Sequence, residues 1–156
     1  MAALHPNGFL IRLLKTFKNG MRLRLHTWPA GEARLETPHD HRSWFVSLPL
    51  WGRFVEKRFV EVQPTVTDIA LREDLEHFTV LRCHSTSGNG APITTPEGKG
   101  WLVEERTRVR LPLVPYFCPV DALHSFVPAS PGFAASLVLF GPPKQVPRAF
   151  VKESRS

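Results

Sequence analysis

Two histidines one residue apart, His39 and His41, are the side chains of this sequence best placed to do chemistry. In an extended segment residues i and i+2 face the same side, so both imidazoles enter one space and Asp40 points the other way. Two imidazoles from one segment are half of a metal site. A third from another strand completes a neutral nitrogen face and leaves the remaining positions open, as a catalytic metal requires. His124, in Pro119-Val120-Asp121-Ala122-Leu123-His124, is the candidate third ligand. A His-x-His pair also arises by chance on protein surfaces. This pair is set apart by its surroundings: a Pro29-Ala30-Gly31 turn before it, an apolar run after it ending at Gly52, and a Pro-x-Asp turn before His124.

The elements that must position these groups read mostly as strands. Met21 to Trp28 alternate, with Leu23 and Leu25 on one face and Arg22, Arg24 and His26 on the other. If the second face looks inward, Arg22 and Arg24 are candidate substrate-binding residues, since guanidinium grips planar anions in bidentate fashion. If it looks outward, it is a solvated edge. Glu36 to Leu50 carry the histidines and then a buried strand, in which Trp44 and Phe45 are candidate pocket walls. Arg53 to Val62 read as the return strand of a hairpin. Gln63 to Asp74 read as a loop, and Phe78 to Cys83 as a strand whose flanking His77 and His84 face opposite sides and are not ligands. Residues 85–100 read as a surface insertion or a lid, with a turn at Asn89-Gly90. Trp101 to Val114 form a long strand. Tyr116, the only tyrosine, is a candidate acid or oxygen-stabilising group. Ala134 to Phe140 form an apolar final strand with Ser136 as its one polar side chain. One helix is expected, near the N-terminus: Phe9, Leu10, Leu13, Leu14 and Phe17 recur at helical spacing, with Asn7 able to cap it and Gly20 to end it.

The two histidine-bearing stretches resemble the motifs of the cupin superfamily. The first cupin motif reads Gly-x5-His-x-His-x3–4-Glu-x6-Gly, and here it runs from Gly31 through His39 and His41 to Gly52, with a longer approach from Gly31 to His39 and with Phe45 where the glutamate stands. The second reads Pro-x-Gly-x2-His-x3-Asn; Pro119 and His124 fit it, with Asp121 in place of the glycine and Pro128 in place of the asparagine. A cupin with three histidines and no carboxylate resembles the thiol dioxygenases, of which cysteine dioxygenase is best known. The similarity covers roughly residues 20–60 and 110–143. It implies iron(II) on His39, His41 and His124, and a catalytic role for Ser136, which matches the serine of their Ser-x-His-x-Tyr set. Val138 and Phe140 stand at the other two positions of that set, so chemistry on cysteine itself does not carry over. The resemblance also implies a homodimer.

With 156 residues, 42% hydrophobic, the chain suits a single domain with one core. That core is expected over about 20–143, with a basic, flexible tail at 144–156. Fifteen prolines and ten glycines favour short strands and turns. The fold expected is all-β: a double-stranded β-helix (jelly-roll) cupin barrel with one short N-terminal helix. Cys83 and Cys118 read as ordinary thiols of a reducing compartment. The net charge of +6 is scattered, without a recognition helix or interleaved aromatics, so nucleic acid is not an expected partner. No apolar run reaches membrane-spanning length, and no signal-peptide pattern opens the chain, so a cytoplasmic protein without a membrane partner is expected.

Three functions fit. One is a mononuclear non-haem iron oxygenase acting on a small anionic substrate with O2. Another is a non-redox enzyme using zinc, nickel or manganese as a Lewis acid for isomerisation, hydrolysis or decarboxylation. The last is a small-molecule-binding barrel without catalysis.

Overall fold

The computed structural model describes residues 2–4, 9–31, 36–86 and 92–152. The strands are β1 (Ala2–Leu4), β2 (Leu10–Thr16), β3 (Arg22–Trp28), β4 (Phe45–Trp51), β5 (Phe54–Val62), β6 (Glu76–Thr86), β7 (Pro92–Arg110), β8 (Tyr116–Cys118), β9 (Leu123–Pro128), β10 (Ala134–Phe140) and β11 (Arg148–Lys152); one helix, α1 (Val66–Leu71), lies between β5 and β6. The strands form two antiparallel sheets, ordered β1-β2-β3-β10-β4-β8 and β11-β6-β7-β5-β9. None of the described helices is long and apolar enough to cross a membrane.

The inner faces of the two sheets share a core. Trp28 of the first sheet packs edge-on against Phe54 of the second at 4.9 Å, and Phe54 stacks on Phe126 at 4.6 Å. Phe45, Tyr116, Cys118, Ala134 and Val138 complete this cluster. Burying an aromatic ring of this kind contributes about 1.5–3 kcal/mol. A second cluster of Phe78, Val80, Leu102, Leu123 and Phe150 lies under the other end of the five-stranded sheet.

Several sequence expectations change. Residues 10–16 are strand β2, not a helix. They pair with β3 from Leu10↔Thr27 to Thr16↔Arg22, with an irregularity between Leu13 and Lys15. The apolar residues that suggested a buried helical stripe are largely solvent-facing, Leu13 at 52% and Leu14 at 47% exposure. Sheet pairing therefore overrides their spacing. Asn7, the expected cap, lies outside the described residues. Gly20 instead serves the β2–β3 turn, at φ +82°.

The helix that does form lies in the stretch read as a loop. Its start is set by a capping box, in which the Thr65 hydroxyl accepts from the Asp68 N–H and the Asp68 carboxylate accepts from the Thr65 N–H. Strands β4 and β5 do not form a hairpin, because Gly52 carries the chain from one sheet to the other. It does so at φ +78°, where a Cβ would come within 2.9 Å of Ala134 Cβ. Residues 92–100, expected within an insertion or lid, belong to β7 and pair with β6; the expected Asn89-Gly90 turn lies outside the described residues. Strand β10 is not the last. Within the expected tail, Arg148–Lys152 form β11 on β6, and Phe150 is fully buried.

Candidate metal centre

The segment 38–41 is extended but belongs to neither sheet. It is wedged between the two edge strands of the five-stranded sheet, with His39 bridging His124 of β9 on one side and Ala149 of β11 on the other. The backbone bonds are reciprocal: His39 N–H donates to His124 O at 2.9 Å and His124 N–H to His39 O at 3.0 Å. Asp40 points away from the histidines, as its parity requires. Its carboxylate accepts from the Arg148 backbone N–H at 2.6 Å and from Arg148 Nε at 3.0 Å, which fixes the segment from behind.

The two histidines of the pair and His124 come together. Their ring centroids are 4.7 Å (His39–His41), 5.2 Å (His39–His124) and 4.8 Å (His41–His124) apart. One nitrogen from each ring falls within a set whose members all lie within 4.8 Å of one another. The proton positions follow from the neighbours. His39 Nδ1 lies 2.9 Å from the Thr37 carbonyl, and His124 Nδ1 lies 3.1 Å from Glu56 Oε1. Both partners only accept, so each Nδ1 carries a hydrogen, which in the neutral tautomer leaves the lone pair at Nε2.

His41 Nε2 then lies 2.7 Å from His124 Nε2. With the His124 lone pair at Nε2, that distance is a hydrogen bond in which a neutral His41 donates its Nε2–H to His124. Burial, reinforced by the neighbouring histidines, holds the His41 imidazole well below its ordinary range. Burial likewise lowers that of His124, against the opposing hydrogen bond to Glu56. His41 and His124 therefore stay neutral, and the three-nitrogen donor set fits a divalent metal of the iron, zinc or nickel type, which would take the place of the hydrogen between them.

Glu56, which the sequence reading did not single out, anchors the site from below. It is fully buried on the inward face of β5. Its Oε1 takes the His124 Nδ1 hydrogen and lies 2.6 Å from Arg58 Nε; its Oε2 accepts from Arg110 Nε at 2.7 Å and from an Arg110 terminal nitrogen. Burial pushes the carboxyl upward. The hydrogen bond to His124 and the charges of Arg58 and Arg110 outweigh it, and hold the group down at about 2. The signal lay in the alternation Phe54, Glu56, Arg58, in which an acid and a base share a face with an apolar ring.

Glu56 and Cys118 also cluster with the far side of His124. Two guanidinium groups already neutralise Glu56, and burial pushes the Cys118 thiol up to about 12, so this second cluster suits a cation poorly.

Phe45 occupies the position of the cupin glutamate and does face the centre. Its ring lies 4.7 Å from that of His41 and 5.9 Å from that of His124. Glu36 is a second carboxylate the sequence reading passed over. Its Oε1 is 4.0 Å from His39 Nε2, and its Oε2 accepts from the Phe126 N–H at 2.9 Å.

The other candidates are distributed differently. Trp44 does not wall the pocket. Its parity is opposite to that of Phe45, and its ring lies 6.1 Å from the exposed Phe117 and against Gly141, where any Cβ would clash. Ser136 is buried on the inward face of β10, paired with His26 and Pro49. It stands four residues, or about 13 Å of strand, from Phe140, the β10 residue that reaches His41. It is thus remote from the histidines.

Tyr116 is buried behind Phe45, 6.1 Å from it ring to ring, with Arg110 over its face at 4.3 Å and a hydrogen bond to Ser47. Burial drives its phenol far above the ordinary range, which leaves it a poor acid. Arg22 and Arg24 lie on the inward face of β3, with Arg24 5.0 Å from the Phe140 ring. His77 packs on Trp101 at 4.7 Å and His84 lies 2.8 Å from Thr95 Oγ1, both away from the centre.

No family profile and no curated protein matches this sequence. Solved structures do resemble it. An oxalate oxidase in complex with glycolate superposes with a TM-score of 0.51 at 14% identity, over 92% of this chain and 55% of that one. A second oxalate oxidase structure gives 0.50 at 15% identity, over 94% and 57%. A cupin superfamily protein from Desulfitobacterium hafniense DCB-2 gives 0.43 at 12% identity, over 88% and 81%. The chain spans little more than half the length of the oxalate oxidases. At these identities the likeness concerns the fold, which is the all-β cupin-like fold.

Proposed function

We propose that this chain is a metal-dependent cupin enzyme, a mononuclear non-haem iron oxygenase that acts on a small anionic substrate at His39, His41 and His124. The observation that carries the reading is the tautomer arrangement. Two of the three rings have Nδ1 committed to an oxygen acceptor, and their Nε2 lone pairs converge on His41. Such outer hydrogen bonds orient metal-binding imidazoles and raise their basicity. Phe45 in place of a carboxylate supports a thiol-dioxygenase-like ligand set, and the two sheets are read as the halves of a double-stranded β-helix barrel.

Iron(II) bound there would supply open positions for substrate and O2 and the electrons that activate oxygen. Three imidazoles add no negative charge to the ligand set, and of the nearby carboxylates Glu56 is offset by Arg58 and Arg110 while Glu36 stands 4.0 Å from His39 Nε2, so the site favours an anionic, chelating substrate. The chain's own contribution is geometry and dryness. Glu56 and the Thr37 carbonyl hold the Nδ1 hydrogens of His124 and His39 and fix both rings. Phe45 and Phe140, 5.5 Å apart, keep water from one side of the centre.

The test is elemental mass spectrometry on protein purified without an affinity tag or added metal, beside the His39→Ala/His124→Ala double variant. Near-stoichiometric iron that the variant loses, with substrate-dependent oxygen consumption, supports the proposal. Zinc or nickel at the same level, with turnover independent of oxygen, moves the function to Lewis-acid chemistry. Absence of metal from both proteins after reconstitution refutes a metal enzyme.

A further inference from the structure

Most of the guanidinium groups buried in the interior of this fold have a counter-charge. Arg58 and Arg110 share Glu56, and Arg148 joins Asp40 and Glu61. Arg22 and Arg24 do not. Strand alternation and the register with β10 put both on the inner face of β3, Arg22 opposite Phe140 and Arg24 opposite Val138. The same face carries Trp28, which packs on Phe54 and Phe126 across the core. Both arginines are half-buried, and among the described residues neither meets a carboxylate. The Arg22 Nε is buried with no hydrogen-bond partner, as is Arg58 Nε, but Arg58 has the Glu56 carboxylate 2.6 Å away and Arg22 has no such counter-charge among the described residues.

Two neighbouring cations withdrawn from water without an anion are costly. The strain is visible in Arg24, whose ordinary value of 12.5 is pushed down to about 10 by burial and by the charge of Arg22. Phe140 offers Arg24 its ring face at 5.0 Å, but a ring face leaves the in-plane N–H donors unused. Those donors form the fork that grips an oxyanion.

The pair also stands in a definite relation to the centre. Phe140 touches Arg24 on one side and Phe45 and His41 on the other, with centroids 5.5 and 6.5 Å away. One aromatic side chain therefore separates the arginines from the histidines.

We propose that Arg22 and Arg24 receive a second oxyanionic group of the substrate, so that the molecule processed here is a short dianion, held by one end at the three-histidine centre and by a carboxylate or phosphoryl group at the arginines. This rests on the function proposed above and narrows its substrate class. A monoanion of the same length would leave the guanidinium fork unpaired. Specificity would then come from that penalty more than from added contact.

The test uses cobalt(II)-loaded full-length protein and isothermal calorimetry with succinate, butyrate and 3-phosphonopropionate. Succinate is expected to bind at least tenfold tighter than butyrate. Arg22→Gln and Arg24→Gln should each erase most of that preference, and Arg24→Lys should restore part of it. Cobalt content and thermal midpoint should stay those of the parent. Equal affinity for succinate and butyrate in the parent, or a preference that survives in both glutamine variants, overturns the proposal. The phosphonate arm decides which oxyanion the fork prefers, and either preference over butyrate supports it. Failure to retain cobalt would count against the histidine centre alone. The same titration on metal-free protein, where succinate preference should still depend on both arginines, then decides the inference by itself.

Discussion

Two polar clusters meet at His124 inside this protein, and they are built on opposite terms. On the Nδ1 side, Glu56, Arg58 and Arg110 form a charge cluster in which the carboxylate has each of its oxygens engaged. On the Nε2 side, three imidazoles bring one nitrogen each to a common point, with His41 Nε2 and His124 Nε2 2.7 Å apart. A buried carboxylate with both oxygens engaged is architecture, because it leaves no lone pair for a ligand. Imidazole nitrogens gathered in this way are a donor set that a divalent cation can take up. One histidine serves both clusters, so the structural one orients the other.

Four measurements bear on that contrast. The largest effect belongs to His124→Ala, which removes a ligand and the partner of Glu56 together. Metal should fall from near one per chain to background by elemental analysis. Retention of metal by that variant would place the ion elsewhere.

Glu56→Gln should act on both clusters. It leaves Arg58 and Arg110 without a counter-charge, which costs about 3–5 kcal/mol in urea unfolding. It also loosens the His124 ring, which should weaken metal affinity about 10–100-fold in a chelator competition. If affinity falls while stability does not, the charge cluster is dispensable to the fold.

A smaller effect is expected with acid. The Glu56 carboxyl sits at about 2 when folded, against an ordinary 4.5. Its stabilising contribution is complete above pH 4.5 and drains away as pH falls towards 2, because the unfolded chain takes up the proton first. The parent should therefore lose more stability than Glu56→Gln between pH 5 and pH 3. Parallel curves would show that the carboxyl is not held down.

The smallest effect is on thiol chemistry. Cys118 is fully buried with its thiol pushed up to about 12, whereas Cys83 is only partly buried. Iodoacetamide at neutral pH should modify Cys83 in the folded protein and Cys118 only after denaturation. Early loss of Cys118 would mean that the charge cluster opens to solvent.

The legible parts of the chain were those with a local pattern. Strand β10 has the bounds of its apolar run, interrupted only by Ser136, and β3 begins one residue inside the alternation that starts at Met21. The histidine pair and its partner were found from i,i+2 parity and a turn, and they do converge. The misread parts were decided by distant partners. Leu10–Thr16 has helical spacing, yet the hydrogen-bonding edge of β3 claims it. Trp44 and Phe45 were equivalent as neighbouring aromatics, and only the pleat, anchored by pairing with Cys118, sends one inward and the other outward. Glu56 was overlooked because a charged residue on a strand ordinarily reads as solvent-facing. Its burial depends on Arg110, which reaches it from 54 residues away.

The bridge at His39 bears on how this protein would fail. Strands β9 and β11 are the two borders of one sheet, and the segment around His39 lies between them. Unpaired borders are templates for sticking to other molecules of the same chain. An ion gripped by His39 and His124 would pin that clasp, and its loss would loosen both borders together. Metal starvation would then register first as rapid amide exchange at Leu123–Pro128 and Arg148–Lys152, and as a tendency to aggregate, before any unfolding of the aromatic core.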